Sequence, residues 1–232
     1  MRKSAPIERS SAVRDKWATA LLCELGRLSL LTVAENELTR RGFRRIAGTD
    51  EVGRGCLAGP VVAAAIILPA GFCWPGVDDS KKLEADEREA LAGELRRRAI
   101  ASAVAVVSVR EIDETDIRLA SLAAMRQALI ALDPQPDVVL TDAFPVPGYR
   151  LPQVPLVHGD ALSMSIAAAS ILAKVHRDAL MDELARRYPA YAFQRHKGYA
   201  VAEHREILAR IGPCPEHRLS FHGVVPDGAI VT

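Results

Sequence analysis

The chain of 232 residues is long enough to bury a large core without disulfide or metal staples. Its 49% apolar and 25% charged residues exclude a fibrous class and wholesale disorder. A formal net charge of +1 shows no overall basic excess, so any surface for nucleic acid must come from local clustering of charge.

The N-terminal stretch MRKSAPIERSSAVRDK has basic residues with no apolar segment behind them, which does not fit a secretory signal. Cys23, Cys56, Cys73 and Cys214 lie far apart with no C-x-x-C spacing, a pattern that fits a reducing compartment and a cytoplasmic location. Residues 1–14 read as a flexible arm. Residues 15–43 read as a helical segment, because the leucines of LLCELGRLSLLTVAENELTRR recur at about helical spacing. The main domain is expected over 44–225, with 226–232 as a tail.

Inside that domain RRIAGTDEV and PVVAAAIILPA read as strands joined by the Gly-rich GRGCLAG, an antiparallel hairpin with a wide loop. The run VVAAAIIL is too short to span a bilayer as a helix, and no membrane is expected. KKLEADEREALAGELRRRA reads as a helix, ASAVAVVSV as a third strand, and EIDETDIRLASLAAMRQALIAL as one amphipathic helix stopped at DPQP. Two short apolar runs follow, DVVLTD and VPLVHGD, each ending in an aspartate. The long helix SMSIAAASILAKVHRDALMDELARRY has an Ala/Ser-rich first half suited to close packing on a sheet and a charged second half expected to face water. A shorter helix framed by Gly/Pro-containing loops completes the chain. The fold class is α/β, with a mixed β-sheet flanked by helices and a C-terminal helical segment.

Asp50 and Glu51 stand side by side just before Gly53-Arg54-Gly55. Strand side chains alternate faces, so both acids serve one site only where the strand ends. The plain alternative is a polar strand end followed by a turn. Asp142 and Asp160 close two other apolar runs, and α/β folds place ligands at strand ends. Four carboxylates converging without His or Cys would repel one another unless hard cations such as Mg²⁺ or Mn²⁺ neutralised them. Two such ions are the usual apparatus of phosphodiester hydrolysis.

The motifs GTDEVGRGCLAGPVVAAAIIL, DDSKKL, VVLTD, HGDALSMSIAAASILAKVHRD, YAFQRHKGYAVAEH and PEHRLSF, spread over residues 47–221, closely resemble bacterial ribonuclease HII. The resemblance implies a ribonuclease H-like sheet, cleavage of RNA in RNA-DNA hybrids, and incision at single ribonucleotides in duplex DNA that leaves 3′-hydroxyl and 5′-phosphate ends. It makes Asp50, Glu51, Asp142 and Asp160 the catalytic, metal-holding carboxylates, Asp50 bridging two Mg²⁺ or Mn²⁺ ions. Glu51 and Asp142 would complete the ion on the leaving-group side, and Asp160 the ion that holds the water. Gly53, Arg54 and Gly55 match the turn that reads the ribose 2′-hydroxyl, and Tyr199 of HKGYA matches the tyrosine at the RNA-to-DNA junction. Lys81, Lys82, Lys174, Arg177, Arg195 and Lys197 are candidate phosphate contacts, each alternatively a solvated surface charge. The partners are then RNA-DNA hybrid and ribonucleotide-containing duplex DNA, and a monomer is expected because no obligate dimer seam is evident.

The family usually has Gly after the third aspartate; Ala143 stands there in this chain. Ribonuclease HIII fits less well: it normally carries GKG where this chain has Arg54, and an N-terminal domain for which the residues before Arg44 are too few. Two readings of other classes are a non-catalytic nucleic-acid-binding domain and a serine hydrolase built on Ser170 and Lys174, one helical turn apart. The second lacks a Gly-x-Ser-x-Gly elbow.

Overall fold

The computed structural model describes residues 8–77 and 84–225, with side chains from residue 16 onward. Its centre is a strand of small and β-branched residues, Val61–Ile67 (β2), buried along its whole length. Val62, Ala64 and Ile66 face one layer of helices, whereas Val61, Ala63, Ala65 and Ile67 face the other. A strand covered on both faces shows no polar alternation, which is why its sequence reads as one continuous apolar run.

β2 lies between Ile46–Val52 (β1) and Ala101–Val107 (β3), antiparallel to both. Val138–Asp142 (β4) and Gln153–Leu156 (β5) then add parallel strands beyond β1, for the order β3-β2-β1-β4-β5. The expected mixed sheet is present.

On one face lie Glu8–Leu31 (α1), Val33–Arg40 (α2), Ala85–Arg98 (α3) and Met164–Arg187 (α7). On the other lie Val109–Glu114 (α4) and Ile117–Ile130 (α5). Gly159–Leu162 (α6) forms a single turn before α7, and Phe193–His196 (α8) and Ala202–Ile211 (α9) follow it. Among the described residues no single helix is long and apolar enough to cross a membrane.

β1 and α7 come together almost backbone to backbone. A Cβ on Gly48 would stand 2.2 Å from the carbonyl carbon of Ser165. The Ala167, Ala168 and Ala169 side chains, all fully buried, keep this approach close along the start of α7.

Several boundaries differ from those expected. α1 begins at Glu8, inside the stretch read as an arm. The segment from Glu111 is two helices rather than one: Ser108 and Glu111 form a capping box on α4, and Asp116 accepts from the Leu119 N–H at 2.8 Å to start α5. The Ser108 cap also ends β3 at Val107. α3 starts at Ala85, and Lys81 and Lys82 lie outside the described residues.

The second half of α7 does not simply face water. Met181, Leu184 and Ala185 join Leu57, Phe193 and Leu208 in a separate core under the C-terminal segment. Glu35 of α2, to which the sequence assigned nothing, accepts from the Ser163 and Ser165 hydroxyls at 2.6 Å and the Ser165 N–H at 2.9 Å. Its carboxylate thereby caps α7, where the helix dipole favours negative charge.

Because Ser165 offers backbone rather than a movable side chain, Gly48→Ala should lower stability by about 1–3 kcal/mol, read as a lower midpoint in urea unfolding.

Candidate active site

The parallel pairing of β1 with β4 sets Thr49 opposite Thr141 and ends there, while β1 continues against β2 as far as Val52. Asp50 and Asp142 are therefore the next residues on neighbouring strands, about 4.8 Å apart in backbone spacing and on the same face. Both acids lie just beyond the β1–β4 ladder, Asp142 as the last residue of β4 and Asp50 where β1 has lost that neighbour but still pairs with β2. Glu51, one residue on, turns toward the α5 side and lines a small cleft with Arg54, Arg118, Asp142, Ala143 and Phe144.

Asp160 is not a strand end. β5 stops at Leu156, the chain turns through His158 (φ 58°), and Asp160 falls in the first turn of α6. That turn is tied to the site because the Gly159 N–H donates to Asp142 Oδ1 at 2.7 Å.

Electrostatics mark the cluster. Asp50 is 8% exposed. Burial first, then the charges of Glu51 and Asp142, hold its carboxyl well above the usual carboxylate range, although the Ser170 hydroxyl hydrogen-bonds to it. Burial raises Glu51 as well, and the Arg54 guanidinium, 3.2 Å from Oε1, pulls it back. Such mutual repulsion in a dry setting is what a bound cation would relieve.

Among the described residues no three His, Cys, Asp or Glu side chains already form a cation cage. The donors are all carboxylate oxygens, a set that suits a hard divalent ion. Asp142 has only Oδ1 engaged, by Gly159, which leaves Oδ2 open. The residues therefore fit such an ion by chemistry.

The turn after β1 is held from below by two arginines. Arg177, fully buried, donates to the carbonyls of Ala58, Pro60 and Lys197 at 2.9–3.1 Å. Arg218, also fully buried, donates to Gly59 O at 2.8 and 3.0 Å and to Arg54 O at 2.9 Å. Burial pulls Arg218 down to about 10, which leaves it charged at neutral pH.

The glycines divide by role. Gly53 has φ 96°, and a Cβ there would stand 2.3 Å from Arg177 Nε. Gly55 has no positive φ and open space where a Cβ would go, so packing alone does not require glycine. With the Arg54 carbonyl drawn inward by Arg218, the N–H of Gly55 in the same planar peptide points the opposite way.

Tyr199, 38% exposed, is brought to the same turn by a bridge to Cys56 and by the Leu57 N–H to Gly198 O hydrogen bond at 2.8 Å. Its ring lies 5.6 Å from Lys174 Nζ.

The basic residues expected to meet phosphates fare differently. Arg177 is a correction: it is wholly internal and occupied by main-chain carbonyls. Lys174 is 2.7 Å from Asp178, Arg195 pairs with Glu203, and Lys197 pairs with Asp182. Arg118 was not singled out by the sequence, yet it is exposed, has no ion-pair partner among the described residues and sits 5.6 Å over the Phe144 ring. Arg218 and Ser170 were likewise given no role in the site. A lone Arg in PEHRLSF and a Ser in an Ala-rich helix carry no signal of their own. The Ser170 bond to Asp50 and the Lys174 bond to Asp178 also leave the serine-hydrolase alternative without its nucleophile-base pair.

A mixed sheet with carboxylates crowded at the ends of adjacent parallel strands defines a ribonuclease H-like fold. The structure of ribonuclease H2 from Pyrococcus horikoshii superposes with a TM-score of 0.67 at 25% identity, covering 78% of this chain and 95% of that one. The family model for ribonuclease HII matches residues 47–224. Ribonuclease HII of Geobacillus kaustophilus is 54% identical over 81% of this chain and 72% of its own length, and that of Syntrophotalea carbinolica is 52% identical over 82% and 91%. The chain belongs to the ribonuclease HII family. Its activity is that of a ribonuclease H, an endonucleolytic hydrolase of RNA paired with DNA.

Ala143 bears on this site directly: it adopts φ 55°, a left-handed conformation that costs an L-residue ~1–2 kcal/mol. Ala143→Gly relieves that strain but frees the unfolded chain, so a net gain of about 0.5–1 kcal/mol is expected in denaturant unfolding. For the turn, Gly53→Ala should destabilise the fold, whereas Gly55→Ala should unfold within about 0.5 kcal/mol of the parent and still lose cleavage if substrate approaches that main chain.

Proposed function

We propose that the protein incises duplex DNA 5′ of single embedded ribonucleotides as well as cutting longer RNA tracts in hybrids, leaving 3′-hydroxyl and 5′-phosphate ends. The observation that carries this reading is the placement of the acids beside an exposed main-chain N–H and a tyrosine. The Gly55 N–H and the Tyr199 side chain stand within one short segment of Asp50 and Glu51. A ribose 2′-hydroxyl both donates and accepts, so a main-chain N–H and a phenol together distinguish it from a deoxyribose.

Asp50, Glu51, Asp142 and Asp160 would hold two divalent cations, Mg²⁺ or Mn²⁺. When bound, these neutralise the clustered carboxylates, activate the attacking water and stabilise the leaving 3′ oxygen. Ser170 orients the Asp50 carboxylate through its hydroxyl. Arg54 opposes the upward pull of burial on the Glu51 carboxyl. The turn and Tyr199 orient the nucleotide so that one phosphodiester faces the acids.

Arg118 is the cation best placed for a neighbouring phosphate. It occupies the first turn of α5, where the helix dipole disfavours positive charge, and it shares the cleft of Glu51 and Asp142. A charge kept where local electrostatics oppose it fits a ligand contact better than a stabilising role.

The deciding experiment incubates the protein with a duplex carrying one ribonucleotide, with Mg²⁺, with Mn²⁺ and with EDTA. Incision only with metal is expected; tight binding without cutting under all conditions would instead favour the non-catalytic binding module. Asp50→Asn should lower cleavage by about 10³-fold, equivalent to ~4 kcal/mol of barrier, without loss of thermal stability, because it removes a buried charge and no core volume. Arg118→Ala should weaken binding on every sequence and reduce the slope of log K against log salt by about 1. An unchanged slope would remove Arg118 from the phosphate surface.

A further inference from the structure

Behind Tyr199 lie three histidines that the proposed chemistry does not use. His204 is 0% exposed, His217 1% and His196 7%. Their hydrogen bonds constrain their tautomers, starting from the Tyr199 end. His217 Nδ1 has the Cys214 N–H at 3.0 Å, the Cys214 Sγ at 3.2 Å and the Cys214 carbonyl at 3.3 Å, so it meets both a donor and an acceptor and does not by itself place the ring proton. Its Nε2 is 3.0 Å from His204 Nε2. The Tyr199 carbonyl, 2.9 Å from His204 Nδ1, can only accept, so the His204 proton is on Nδ1 and its Nε2 is bare. A bare His204 Nε2 then requires the His217 proton on Nε2 for the central bond to have a donor, which leaves His217 Nδ1 to accept from the Cys214 N–H, its shortest contact there.

His196 closes the arrangement from the other side. Its Nδ1 accepts from the Gly198 N–H at 3.2 Å, its Nε2 donates to the Tyr191 carbonyl at 2.9 Å, and its ring stacks on His204 at 4.2 Å. Imidazoles thus hold the Tyr199 carbonyl, which also accepts from the Val201 N–H at 2.9 Å, and the Gly198 N–H one peptide further back. The chain starts on the loop whose next residue, Arg218, holds the Arg54 carbonyl.

We propose that His204, backed by His217 and His196, is a positioning residue for Tyr199, and that this hold requires all three rings to be neutral. The proposal rests on Tyr199 reading the ribose. A proton added to His204 or His217 would set N–H against N–H across the central contact. One added to His196 would set N–H against the Gly198 N–H. Among the described residues no carboxylate is hydrogen-bonded to the three rings. The charged and titratable groups around them are Arg195 on α8, Glu203 and Arg205 on α9, and Cys214 on the C-terminal loop, with Tyr191 packed against His217.

Burial is the largest influence on each ring and lowers all three, His217 to about 4. A histidine depressed in the folded state stabilises the fold fully above its unfolded value near 6.5 and loses that contribution as pH falls toward its folded value. The hold on Tyr199 is therefore intact above pH 6.5 and is lost as pH falls toward the folded values, about 4 for His217.

The test measures kcat/KM on two substrates, a duplex with one ribonucleotide and a hybrid with a long RNA tract. The full-length chain is compared with His204→Leu, His204→Asn, Tyr199→Ala and the double variant of His204→Leu with Tyr199→Ala. Leu removes the donor, whereas Asn places an amide N–H near the position of Nδ1. His204→Leu should lose about tenfold more on the lone ribonucleotide than on the tract. His204→Asn should recover most of that difference, and His204→Leu should add nothing to it once Tyr199 is absent. In the parent the ratio of the two substrates should stay constant above pH 6.5, fall as pH drops toward about 4, and stay flat throughout in Tyr199→Ala, a readout available even if His204→Leu does not fold. Equal losses on both substrates in His204→Leu, or a flat ratio in the parent, overturn the proposal while a selective Tyr199→Ala leaves the ribose reading standing. Equal losses in Tyr199→Ala overturn both.

Discussion

Two buried guanidinium groups without carboxylate partners hold the part of the molecule on which recognition depends. Arg177 and Arg218 together bind the carbonyls of Arg54, Ala58, Gly59, Pro60 and Lys197. Buried charge is costly unless hydrogen-bonded, and each charged donor removed would leave carbonyl dipoles oriented for a cation that is no longer there. Gly53 follows from this constraint, since a Cβ there would meet Arg177, whereas one at Gly59 would meet Met181 Sδ at 2.3 Å. A loop that would otherwise sample many conformations is fixed from its inner side, so its outer N–H groups face solvent with a set geometry.

The catalytic side depends on a simpler rule. Parallel pairing puts residues at equal distance past the Thr49–Thr141 pair on the same face, so two acids remote in sequence become neighbours. The small residues at the start of α7 let that helix sit against β1, which is how Ser170 reaches Asp50. The same helix carries Arg177 two turns later. One rigid element therefore sets both the acids and the turn, and the distance between cleavage and recognition does not rest on a flexible joint.

The C-terminal segment reads in this light as part of the site. Phe193, Tyr191 and the three histidines form a packed aromatic group under residues 196–199, and His217 and Arg218 send hydrogen bonds in two directions from adjacent positions. Main-chain groups on both sides of the substrate-facing surface are satisfied from within, which leaves Tyr199 as the exposed member of the group.

The periodic signals in the sequence determined the elements: alternation and apolar runs located β1, β2, β3 and β4, helical spacing located α5 and α7, and the acid-Gly-Arg-Gly grouping marked the site. Those signals depend only on nearest neighbours along the chain. They failed where contacts were distant. Asp160 looked like a strand end because His158 reverses the chain through a left-handed turn that no motif announces. Arg177 looked like a surface charge, since helical periodicity does not reveal a second core packed against the far half of α7. Ala143 shows a carboxylate position kept while the neighbouring backbone is strained to keep it. Which acids meet was a matter of strand order, and which cations stay free was a matter of what packs around them; both are fixed only when segments remote in the sequence come into contact.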